Sequence, residues 1–214
     1  IAFVAASPAI AADQAAAAST ATAVVPDNKL LKKWTGPYDG VPPWDQVKPA
    51  QFGEAFQFGI DEMLREIDAI ANDPAYPSFE NTIEAMEKAG QRFSRVENVF
   101  AVMTDNMSTP EYQALDKEWQ PKMSAAFDEI TFNEKLFQRV KSLYDRKASL
   151  GLNAVQDRLL TRTYDSFVRS GANLSAPQKA QLAKMNQELA TLFSTFNERL
   201  LADEGTYITA TEAE

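Results

Sequence analysis

Apolar residues recur every three or four positions through most of this chain, a helical period that predicts six helices. The first stripe is Phe52, Phe56, Ile60, Met63, Ile67 and Ile70, with Asp61, Glu62, Arg65, Glu66 and Asp68 falling mostly off it. The stretch Pro77-Ser78-Phe79-Glu80-Asn81-Thr82-Ile83 then opens a second helix. Ser78, Glu80, Asn81 and Thr82 are residue types that satisfy free N–H groups in a first turn and suit the positive end of a helix dipole. Phe79 and Ile83 begin a face that Met86, Phe93, Val96, Val99, Phe100 and Met103 continue, so one helix is expected from Ser78 to about Thr104. Gly90 lies inside it, at a cost of about 1 kcal/mol relative to Ala, and is attributed to close approach of a neighbouring helix.

Four further stripes come after it. Ser108-Thr109-Pro110-Glu111 starts the third helix, with Tyr112, Leu115, Trp119, Met123, Phe127 and Ile130 on one face and, because of Pro121, a kink expected near Asp116 to Lys117. Asn133 caps a fourth, carrying Leu136, Phe137, Val140, Leu143 and Tyr144. Asn153 opens a fifth with Val155, Leu159, Leu160, Tyr164, Phe167 and Val168, closed by Gly171. Ser175 and Gln178 fit a capping box before the sixth, whose stripe is Leu182, Met185, Leu189, Leu192, Phe193, Phe196 and Leu200. Helices with short connections make an all-α bundle.

The ends read differently. Positions 1–12 look like the tail of an apolar signal region ending in the small-x-small site Ala9-Ile10-Ala11, which implies export to the periplasm. Residues 13–33 are read as an Ala-rich disordered lead-in. Between Trp34 and Asp45, two Gly, three Pro and three large aromatics forbid a regular helix. This segment is expected to lie extended on the helices, pinned by Trp34, Tyr38 and Trp44; an aromatic peptide-binding patch is the functional alternative. The helical domain is drawn over 34–204. Residues 205–214, with Gly205-Thr206-Tyr207-Ile208-Thr209, read as the first strand of a truncated next element, hence a fragment boundary.

Composition removes chemistry. There is no His and no Cys, so no imidazole or thiolate metal ligand, no HExxH helix, no Ser–His–Asp triad and no thiol nucleophile. Catalytic and metal residues are therefore read as none in this chain, with substrate-binding residues unknown. A net charge of −9 argues against a nucleic-acid surface. No run approaches the roughly 18 apolar residues of a membrane span. Glu62 and Glu66 have the four-residue spacing of a carboxylate metal site, but with no third ligand they read as a solvated acidic face. No pair among the 30 acidic residues is marked as a glycosidase-type acid and base.

Four stretches carry a resemblance: Pro42-Pro43-Trp44-Asp45 with Lys48-Pro49; Pro77 through Gly90; Asp157-Arg158-Leu159-Leu160 with Tyr164; and Phe167 through Ser175, running on to Leu182, Asn186 through Ala190 and Phe193 through Phe196. Together they resemble the N-terminal part of the M3 zinc metallopeptidases, with the bacterial peptidyl-dipeptidases (dipeptidyl carboxypeptidases) nearest and oligopeptidase A next. The resemblance implies one wall of a substrate channel for short peptides. The zinc, its ligands and the general-base Glu would lie in a missing C-terminal catalytic half, the partner of this region. Alone, the 214-residue chain is expected to be inactive. The alternative is a free-standing helical binding or scaffold module.

Overall fold

A computed structural model describes residues 24–36 and 40–204. The described residues form helices and connecting turns, with no strand among them. The main helices are α1 (Phe52–Ala71), α2 (Ala85–Lys88), α3 (Gln91–Met107), α4 (Pro110–Phe132), α5 (Glu134–Asp145), α6 (Ala154–Arg169) and α7 (Ala176–Glu204). The bundle expected from the periodicity is the fold observed. The signal-like residues 1–12 and the strand expected at 205–209 lie outside the described residues.

α1 is the axis of the molecule, because its stripe is buried along its whole length and serves two clusters. Its first half carries Phe52, Phe56, Ile60 and Met63 into a cluster with Phe93, Val96, Val99 and Phe100 of α3 and Tyr112, Trp119 and Met123 of α4. Phe56 meets Phe100 edge-on with ring centroids 5.1 Å apart and lies 5.4 Å from Trp119. Each such buried ring contributes roughly 1.5–3 kcal/mol by leaving water. The second half supplies Ile67 and Ala71 to a cluster with Phe79, Ile83, Leu136, Phe137, Val140, Leu143, Leu160 and Phe167. There Tyr144 stacks on Tyr164 at 3.9 Å. Gly59 lets α1 and α3 close together: a Cβ at this position would sit 3.0 Å from the Phe93 Cα.

The helix ends obey side-chain chemistry. Asn133 Oδ1 accepts the Leu136 N–H at 3.0 Å, and Asn153 forms a reciprocal box with Gln156. After α6, the Ala172 N–H reaches Phe167 O and the Gly171 N–H reaches Val168 O, the paired bonds of a Schellman ending, with Gly171 at φ +93°. At Ser175 only half the expected box forms. Gln178 Oε1 accepts the Ser175 N–H, but the Ser175 hydroxyl donates to that same oxygen instead of capping the helix. α4 runs unbroken through Pro121.

Four expectations are corrected. The helix read from Ser78 to Thr104 is three pieces: a π-helical turn at Phe79–Glu84, α2, and α3. Gly90, at φ +71°, separates the last two, and a side chain there would also strike Met63, so close approach is only half of its role. The lead-in drawn to residue 33 gives way to the fold by Asn28. Leu30 and Leu31 are buried in the first cluster, and Asn28 is tied to Gln51 O and Glu54. Trp34 is half-buried against the core, but Trp44 is exposed, in the short turn Trp44–Gln46, and is not among the residues packed on that core; Tyr38 lies outside the described residues. Finally, the apolar stripe of α7 does not face the core. Met185, Leu189, Leu192, Phe193, Phe196 and Leu200 are all exposed, and the buried residue of that helix is Ser194.

Candidate functional site

The organising stretch Pro77–Ile83 is built as a structural clamp. Ser78 Oγ accepts the Asn81 N–H at 3.1 Å while Asn81 Oδ1 accepts the Ser78 N–H at 2.7 Å. Asn81 Oδ1 also accepts from the Thr82 hydroxyl and from Arg139 Nη2, both at 3.0 Å. Arg139, buried on α5, donates in addition to the carbonyls of Asp73 and Ala75 at 2.8 and 3.1 Å. Two turns on, Arg146 donates to Pro77 O and lies over the Tyr76 ring at 4.3 Å. Two arginines thus direct terminal guanidinium donors at the 73–81 loop. A guanidinium with several fixed donors suits such carbonyl-rich loops. Glu80 points outward, its carboxyl held below the usual range by its own backbone N–H and then by the Ser78 hydroxyl. The sequence pattern named the caps but not Arg139; a charged residue set between Phe137 and Val140 was the available signal.

The acidic pair on α1 is also structural. Glu62 pairs with Arg92 at 2.7 Å, and Glu66 Oε2 accepts the Gly90 N–H at 2.7 Å. Both carboxylates fasten α1 to the start of α3. Among the described residues, no three His, Cys, Asp or Glu side chains come together as a metal site. No helix among them is long and apolar enough to cross a membrane.

Two carboxyls shifted by burial lie at a groove of about 470 Å³ where α3, α4, the end of α6 and α7 meet. Glu97, Gln120, Asp128, Arg169, Leu182 and Asn186 line it. Burial pushes the Glu97 carboxyl up. Burial also raises Asp128, partly offset by the amide of Asn186, which donates to Asp128 Oδ1 at 2.7 Å. The other Asp128 oxygen is buried with no partner. Desolvation disfavours the charged form, which is why both carboxyls move upward. The groove offers acceptors and one guanidinium, and no nucleophile paired with a base is among its lining residues. Glu97, Gln120 and Asp128 did not stand out in the sequence, because the groove gathers residues from four helices.

Comparison with known proteins links the chain to peptidases. Over 175 residues the chain is 39% identical to the dipeptidyl carboxypeptidases of Salmonella typhimurium and Escherichia coli, covering 82% of this chain and 26% of each relative. These matches support an M3-family peptidase-related region. The "Probable cytosolic oligopeptidase A" of Arabidopsis thaliana is 23% identical over 162 residues, covering 75% of this chain and 23% of that protein. No family model matches the chain. The M3-related region spans about a quarter of the length of the curated relatives it matches.

Proposed function

We propose that this chain is the non-catalytic, helical channel-wall region of a longer zinc-dependent peptidase that hydrolyses short peptides, of the peptidyl-dipeptidase kind. The observation that carries the reading is the 39% identity to dipeptidyl carboxypeptidases across 82% of the chain. The chain's own residues support the non-catalytic part. A catalytic zinc takes three protein ligands from His, carboxylate or thiolate. This sequence has no His or Cys, and no acidic cluster stands in for them among the described residues. Zinc therefore does not fit here. It and the general-base Glu are assigned to the catalytic half of the parent polypeptide, and no step of hydrolysis runs through these helices. Their part is to shape and line the passage that admits short peptides. The signal-like residues 1–12 add export, to the periplasm, to the proposal.

The test is an assay of the longest natural polypeptide that contains this chain, beside the 214-residue chain alone. The longer protein should release dipeptides from a short peptide and lose that activity to a chelator. The 214-residue chain should cleave nothing. Chelator-sensitive cleavage by the short chain would contradict the wall reading, and an inert longer protein would leave the helical binding module in its place.

A further inference from the structure

α7 is held from one side only. The row Leu182, Asn186, Ala190, Ser194 and Glu198, four residues apart, is the part withdrawn from solvent. It runs along α4 through polar bonds: Asn186 to Asp128, the Ser194 hydroxyl to Asp116, and Glu198 to Lys117. Small residues at 190 and 194 let the two helices approach. The residues that a core would ordinarily take are elsewhere on the helix. Met185, Leu189, Leu192, Phe193, Phe196 and Leu200 are between 47% and 64% exposed.

Single exposed apolar residues are ordinary, but six in register on one helix are not. From Met185 to Leu200 the stripe is about 22 Å long at 1.5 Å per residue. Met185, Leu189, Leu192 and Phe196 step by four, three and four. That spacing keeps one seam facing a partner helix along its length. A flat or irregular surface would not require it.

We infer that this stripe is the docking face for an amphipathic helix of the same parent polypeptide, from the part C-terminal to this chain. Two observations select that occupant over others. The matched region is only 26% of the length of the dipeptidyl carboxypeptidases, so proteins of this kind carry about three times as much chain elsewhere. The exposed face also runs on to the last described turn of this helix, at Leu200 and Leu201, so the stripe adjoins the residues that follow in sequence. The identity of the parent rests on the peptidase reading above; the uncovered seam does not.

Hydroxyl-radical footprinting of the 214-residue chain and of the longest natural polypeptide containing it tests the inference. Phe56 should be protected in both. Met185, Leu189, Phe193 and Phe196 should react freely in the short chain and at least about tenfold more slowly in the long one, since interface cores are packed like protein interiors. Equal rates in the two proteins would overturn the inference, as would a reading frame that stops at Glu214. Concentration-dependent protection in the short chain, abolished by Phe193→Glu, would assign the face to a second copy and overturn it too. Peptidase activity measured on the same long preparation separates the two ideas. Cleavage with an unprotected stripe sinks the docking face alone, whereas protection without cleavage upholds the docking face and removes the peptidase reading.

Discussion

α1 and α7 are both long helices, and they are used in opposite ways. Each carries a long apolar stripe at helical spacing. In α1 the stripe is buried: Phe52 and Phe56 are fully covered, and Ile60, Met63 and Ile67 nearly so. In α7 the stripe is open, and a row of small and polar residues makes the contact with α4 instead. Periodicity therefore establishes that a helix has an apolar face, but not whether the partner of that face lies within the same stretch of chain. For α1 the partners α3, α4 and α5 are supplied locally. For α7 they are not among the described residues.

The sharpest way to break the comparison is to truncate the same side chain in both helices. Phe56→Ala should lower stability by about 3–5 kcal/mol, read as a shift of the urea midpoint at unchanged slope. Phe193→Ala should stay within about 0.5 kcal/mol, as exposed positions do. Next in size is the clamp on the 73–81 loop, which steadies the cluster at the C-terminal half of α1. Arg139→Met leaves the carbonyls of Asp73 and Ala75 without their donor and should cost about 2–3 kcal/mol in the same assay. Asn153→Ala, which removes the cap of α6, should cost about 1 kcal/mol.

The smallest effect probes the polar seam of α7. Burial raises the Asp128 carboxyl above its ordinary 3.8, so the folded state binds this proton more tightly than the unfolded one. The stability it contributes is full below pH 3.8 and is lost as pH rises through the folded value. Asp128→Asn should therefore stabilise the chain at pH 7 and give no gain below pH 3.8, measured by thermal unfolding at both. A gain that is the same at both pH values would mean that desolvation of this carboxylate is not the cause.

Much of the bundle was legible because it rests on local rules. Asn133, Asn153 and Gly171 mark real helix ends, and the stripes of α1, α5 and α6 supply buried residues to the core. What escaped depends on contacts far apart in sequence. Gly90 was visible as a cost but not as a break, because its left-handed backbone is set by the meeting of α2 and α3 against Met63. Leu30 and Leu31 sit in a stretch too short to show a period and are buried by α1 and α3. The raised carboxyls of Glu97 and Asp128 arise where four helices converge, and no local pattern reports that. The likeness to peptidases was legible from four weak motifs in register.

The central claim is that this region has its own core around α1 while α7 awaits a partner. Hydrogen–deuterium exchange of the 214-residue chain tests it most directly. Amides of α1 and α3 should exchange together and slowest, near the global unfolding limit, and those of α7 from Leu192 onward at least about tenfold faster. Protection of that half of α7 equal to that of α1 would contradict the account.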